Sequence, residues 1–163
     1  MAFEALTKPD LPALVELHQR LSEVHSHNFD WADWGTRDAL ILMVTTGLHK
    51  ESSCNTFGCI AGWASAFFPE RMLYSGGPIL GNAFGLSIAQ TNYLCFKFVG
   101  ISGEIELELQ DKKTEEESKP IELRVVLRRL ARLIFDMGGP VLADDLYLAA
   151  DYKHGKDDEG QTT

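Results

Sequence analysis

Leu14, Leu17, Leu21 and Val24 recur at three- and four-residue steps, the spacing of one helix face. Asp10 is placed to cap that helix. Pro12 falls in its first turn, where a missing N–H does no harm. The predicted helix covers Leu11 to His25. Asn28, Asp30 and Gly35 then break the pattern, while Phe29, Trp31 and Trp34 are apolar anchors that dock on a core. The run "DALILMVTTGL" suits either a short helix, capped by Thr36 or Asp38, or a buried strand. It is rich in Ile, Val and Thr, and periodicity alone does not separate the two. Gly47 closes it either way.

Ser52 to Phe68, "SSCNTFGCIAGWASAFF", is the densest stretch of the chain. Ser53, Cys54 or Asn55 can supply an N-cap for a helix from about Thr56 to Phe68, and Pro69 stops it. Gly58 and Gly62 lie four apart, on one face of such a helix. Glycine costs about 1 kcal/mol in a helix interior, so this use points to close packing of another backbone. Cys59, Trp63 and Ala66 make a neighbouring stripe. Small or apolar residues on most sides predict a central helix buried nearly all round. The stretch reads as a buried helix start, with Thr56 capping or turning, Cys59 in the core and Gly62 as a contact.

"YSGGPILGN" reads as a loop. Ser87 then sits where an N-cap belongs, and Gln90 three residues on completes a capping box. Ile88, Thr91, Leu94 and Cys95 face one way, and Leu86 is a weak staple against Thr91. Ile105, Leu107 and Leu109 alternate with glutamates, predicting an exposed-edge strand in a small two-stranded element near residues 104–110. Asp111 to Lys119 is a charged loop. Ser118 and Pro120 open the clearest helix. Its apolar face holds Leu123, Val126, Leu127, Leu130, Leu133 and Ile134, with Arg124, Arg128, Arg129 and Arg132 largely opposite. Gly138 and Gly139 end it. "VLADDLYLAADY" suits a final short helix, and residues 153–163 form a polar, disordered tail. No internal repeat is visible. The expected architecture is mainly α, one compact helical domain over residues 1–152.

Composition changes this picture little. At 163 residues, 45% hydrophobic and 24% charged, the chain can build one core without disulfide staples. The net charge of −9 argues against a general nucleic-acid binder and favours a basic partner, if any. Cys54, Cys59 and Cys95 are an odd set, which fits free thiols in a reducing, cytoplasmic setting. The N-terminal residues lack a basic region followed by an apolar run, so no secretory signal is expected. No stretch reaches the roughly 18 uninterrupted apolar residues of a membrane helix.

Three constellations can carry chemistry. Cys54 at a helix N-terminus would have its thiolate favoured by the helix dipole. Its base would be His25, His27 or His49; His18 also lies upstream, and His154 alone lies downstream. Against this, cysteine is most often a small buried apolar residue. His25, His27, Cys54 and Cys59 can be drawn as a tetrahedral zinc set. The two cysteines are separated by four residues, a spacing that does not share a helix face. The third is the arginine set, Arg124, Arg128, Arg129 and Arg132. It suits a solvated face offsetting the preceding acidic run, or a surface for binding a partner. Phosphate loops, H-E-x-x-H, EF-hand loops and G-x-S-x-G are absent from the sequence.

The run Cys54-x-Thr56-x-x-Cys59-Ile60-Ala61-Gly62-Trp63-Ala64 resembles one found in small uncharacterised bacterial and phage proteins. There it precedes a segment similar to Ala83-Phe84-Gly85-Leu86-Ser87-Ile88-Ala89-Gln90, then Leu94 and Phe96. Phe29, Asp30 and Trp34 match an upstream element. Asn55 stands where that pattern has Gly, and Gly58 where it has Ala. The resemblance implies a helical domain of phage or prophage origin and no particular activity. A fainter likeness, to the nucleophile helix of papain-like hydrolases, fails on histidine order, since those enzymes have their His downstream. The expected function is a small acidic accessory protein that binds another protein, without catalysis or cofactor. Alternatives are a Cys54-dependent hydrolase or transferase and a zinc-stabilised module.

Overall fold

The computed structural model describes residues 6–30, 35–52, 58–71, 80–95 and 115–142, with the backbone alone for residues 37 and 115–121. Among the described residues the protein is mainly helical, with six α-helices: α1 Leu11–Leu21, α2 Arg37–Thr46, α3 Ile60–Phe67, α4 Leu80–Phe84, α5 Ile88–Cys95 and α6 Glu115–Asp136. They contain no strand, only an isolated parallel bridge between Phe29 and Gly58. Residues 104–110, 143–152 and 153–163 lie outside the described set, and so do the expectations placed on them. No described helix is long and apolar enough to cross a membrane.

Several local signals act as their chemistry dictates. The Asp10 carboxylate accepts from the Ala13 N–H (3.2 Å), capping α1. The "DALILMVTTGL" run resolves as a helix, α2, ended by Gly47 in the left-handed region at φ 80°. Ser87 Oγ accepts from the Gln90 N–H (3.1 Å), and Gln90 Oε1 accepts from the Ser87 N–H (2.8 Å), a complete capping box on α5. At the end of α6, Gly138 turns left-handed, its N–H donates to Phe135 O and that of Gly139 donates to Ile134 O. This is a Schellman closure.

Four boundaries differ from the sequence reading. Helix α1 stops at Leu21 instead of His25, because the N–H groups of Glu23 and Val24 bond three residues back and tighten the chain into turns. Helix α3 starts at Ile60, not Thr56, because Gly58 is held by its bridge to Phe29. Part of the expected loop at residues 74–82 is helical, since α4 begins at Leu80. Helix α6 starts at Glu115, inside the stretch read as a loop, with three glutamates at the N-terminal end that its dipole favours.

Helix α3 is central: all eight of its residues are buried. It packs on α1, α2 and α5, while α6 crosses α1, α5 and the 3₁₀ turn Ser26–Asn28. Leu14, Leu17, Leu21, Phe29, Leu40, Ile60, Trp63, Phe84, Leu94, Val126, Leu130 and Ile134 form one core. The chain before α1 lies along α4, with Leu6 N–H donating to Asn82 O (3.0 Å) and Asp10 N–H to Phe84 O (3.0 Å).

Three arginines close the C-terminal ends of the three short helices. Such an end leaves carbonyls unpaired and carries partial negative charge. Arg20 donates to Phe67 O at the end of α3 (3.2 Å), with its guanidinium over the Phe67 ring. Arg71 donates to Ala83 O in α4 (3.3 Å), pairs with the Asp10 carboxylate (2.7 Å) and lies over both Phe68 and Phe84. Arg129 donates to Tyr93 O in α5 (2.8 Å) and lies over the Tyr93 ring. In each case an aromatic supplies the floor and a last-turn carbonyl the acceptor.

Candidate functional site

The histidines singled out in the sequence gather at one junction, and Asn28 builds it. Asn28 is fully buried. Its side-chain amide donates to His49 O (3.2 Å) and Glu51 O (2.7 Å). Its own carbonyl accepts from Gly58 N–H (3.0 Å) and from the Trp63 indole N–H (3.1 Å). His25 N–H also donates to His49 O (2.9 Å). One asparagine thus ties together the turn at residues 26–28, the turn at residues 48–50 and the entry to α3. The close approach explains Gly58: a Cβ there would meet Leu40 Cδ1 at 3.0 Å and Trp63 Nε1 at 3.3 Å.

Hydrogen bonding assigns each imidazole a different capability. His25 Nδ1 accepts from the His27 N–H (3.1 Å), capping the 3₁₀ turn. Its other nitrogen therefore carries the proton in the neutral ring, which leaves no free lone pair for a base or a metal. His49 Nδ1 lies 3.3 Å from Met43 O, so that nitrogen is the donor and Nε2 keeps the lone pair. The His49 ring is buried beside Trp63 and Phe67. His27 is the one whose ring nitrogen faces a hydroxyl, with Nδ1 at 3.5 Å from Ser52 Oγ. That is longer than the roughly 2.6–3.2 Å of a working base pair. The His25 and His27 rings stand edge-on, 5.0 Å between centroids.

Cys54 lies outside the described residues, two positions beyond Ser52. The cysteine at the N-cap of α3 is Cys59, so the helix-dipole argument made for Cys54 applies to Cys59 instead. Cys59 is buried and forms no disulfide. The half-buried Cys95 thiol is pushed up to about 12, first by burial and then by the neighbouring charge of Cys59. Cys95 is therefore protonated and poorly nucleophilic at neutral pH. Among the described residues no three His, Cys, Asp or Glu side chains are placed to hold a metal ion, which covers His25, His27 and Cys59 of the expected zinc set.

The four arginines do not share a solvated face. Arg124 is exposed, Arg128 and Arg129 are buried, and Arg132 lies 3.9 Å from Asp136. The expectation of a solvated set fails because α6 is covered by α1, α5 and the 26–28 turn, and because Arg129 is committed to closing α5. No local sequence signal marks Asn28 as a hub. A lone Asn in a loop looks like any turn former, and its four partners are distant in the chain. Replacing Asn28 by alanine is expected to cost about 2 kcal/mol, by stranding carbonyls that it satisfies. Asn28→Asp is expected to cost more than Ala, since a carboxylate there faces two carbonyl oxygens. Urea midpoints of the two variants measure the order, and Asp equal to or better than Ala would remove Asn28 from the hub. Comparison with protein-family models, curated proteins and solved structures finds no match.

Proposed function

We propose that this chain is a small acidic accessory protein of phage type that binds another protein and performs no catalysis of its own. The observation that carries the reading is a set of large apolar side chains left in solvent beside a filled core: Leu42, Leu48, Ile88, Phe135 and Val141. Each is an apolar side chain that a partner could bury, and the chain around them is strongly acidic. The phage part rests on the resemblance of the two linked motifs. A second reading, Cys54 as a nucleophile, is favoured by one contact, His27 Nδ1 facing Ser52 two positions before that cysteine.

Alkylation of each thiol against pH, followed by mass spectrometry on the native protein, separates the two. Under the binding reading, Cys54 reacts with an apparent pKa no lower than the free value of about 8.5. Cys59 stays inert until denaturant is added, and Cys95 gains thiolate only as pH approaches about 12. A fast Cys54 with an apparent pKa near 6, slowed by His27→Gln, would replace the binding reading with the nucleophile.

A further inference from the structure

We infer that the Asn28 junction is an acid-sensitive latch, held while the His25 imidazole is neutral and loosened when that ring is protonated. Asn28 fastens both ends of the connection into α3. Its side-chain amide donates to Glu51 O (2.7 Å), and its carbonyl accepts from Gly58 N–H (3.0 Å). The placement of Asn28 depends on the 3₁₀ turn Ser26–Asn28, and that turn is capped by a side chain, His25 Nδ1 accepting from His27 N–H (3.1 Å). A neutral imidazole has one nitrogen that accepts a hydrogen bond, and an imidazolium has none. Protonation at Nδ1 sets two N–H groups against each other where the cap was. The same residue ties the turn to the segment after α2, since His25 N–H and the Asn28 amide both donate to His49 O (2.9 and 3.2 Å). Loosening the turn therefore slackens every bond of the junction together.

The surroundings do not offset a positive charge there. The His27 ring, edge-on at 5.0 Å, is a second imidazole and adds a like charge when protonated. Ser52 Oγ, 3.5 Å from His27 Nδ1, is neutral. The His49 ring directs Nδ1 to Met43 O and lies against Trp63 and Phe67. Lys50 and Glu23 pair with each other at 3.7 Å. Asp30 and Glu51 lie on the adjoining chain, and Cys59 stands at the start of α3. Helix α6, which packs on the turn, contributes the buried charged residues Glu122, Arg128 and Arg129. Among the described residues no carboxylate forms an ion pair with His25 or His27. The bonded form of the cap is the neutral one, so the latch holds above the range in which imidazoles titrate, near pH 6.5, and weakens as pH falls through it.

Amide hydrogen exchange on the full chain tests the latch, read by NMR with each rate normalised to its intrinsic rate at the same pH. Between about pH 7.5 and about pH 5.5, which brackets ordinary imidazole titration, protection at His27 N–H and Gly58 N–H is expected to fall about fivefold, the loss of one cap bond. Leu130 N–H, inside α6 and far from the turn in sequence, is expected to keep its protection. His25→Asn supplies an acceptor at the same position that does not titrate, and should abolish the step. His25→Ala should show the lower protection at both pH values. A flat profile in the unmodified chain overturns the latch. So does a step that survives His25→Asn, which assigns the response to His27 or His49, and so does an equal fall at Leu130, which is general acid unfolding. Melting temperatures at the higher pH show that the variants fold. If one does not, the His27, Gly58 and Leu130 amides of the unmodified chain still decide the outcome.

Discussion

Gly85→Ala is expected to destabilise the protein by roughly 3–5 kcal/mol, lowering its melting temperature on the order of 10 °C. Gly85 is the hinge between α4 and α5 and has φ +74°. Left-handed backbone alone costs a side-chain-bearing residue about 1–2 kcal/mol. The larger contribution is steric. A Cβ at Gly85 would collide with the carbonyl of Lys8 and approach Pro9 N at 2.9 Å, and these are backbone atoms that cannot rotate away. To relieve the contact, the segment before α1 must leave α4. That endangers the Asp10 N–H to Phe84 O bond and, through Asp10, both the α1 cap and the Arg71 ion pair. Gly47→Ala is the matched control, since Gly47 has φ +80° but nothing within 4 Å of its Cβ position. It should show the left-handed penalty and no more. If calorimetry finds Gly85→Ala no worse than Gly47→Ala, the segment before α1 does not pack closely on Gly85.

Arg129→Ala is expected to cost about 3–5 kcal/mol, as much as a large core truncation. Arg129 is 1% exposed, and its guanidinium donates to Tyr93 O and lies 5.0 Å from the centre of the Tyr93 ring. Truncation loses the hydrogen bond to the C-terminal end of α5, removes the stack and opens a cavity. Arg129→Lys retains the charge but neither the planar fork nor the stack, and should recover less than half of the loss. Arg124→Ala, on the exposed side of α6, should stay within about 0.5 kcal/mol. Denaturant midpoints of the three variants test this. Equal small effects at 124 and 129 would return Arg129 to a surface role and reopen the four-arginine partner surface.

Signals carried by neighbours in the chain were legible without coordinates. Asp10 with Pro12, Ser87 with Gln90, and Gly47 and Gly138 mark helix ends because each acts on backbone within about four residues of itself. The burial of the Trp63 helix was legible too, since small and apolar residues on every side leave no solvent face. The arginines of α6 misled the pattern. Helical spacing shows which residues share a face but not which neighbouring helix covers it, and Arg128 and Arg129 are buried under partners far away in sequence.

The candidate site divides the same way. His25, His27 and His49 were visible as residue types capable of chemistry. Their tautomers follow from a backbone N–H and a carbonyl that only the folded junction brings to them. The start of α3 moved from Thr56 to Ile60 through a bridge to Phe29, a residue 29 positions before Gly58, and with it the N-cap thiol passed to Cys59. By itself the sequence determined the mainly helical class, the helix ends and the buried character of α3, because these depend on local hydrogen bonding and on hydrophobic period. Tertiary structure decided which arginine closes which helix, which asparagine joins the loops and which aliphatics remain in solvent. Those outcomes depend on contacts between residues tens of positions apart, for which the chain carries no local signal.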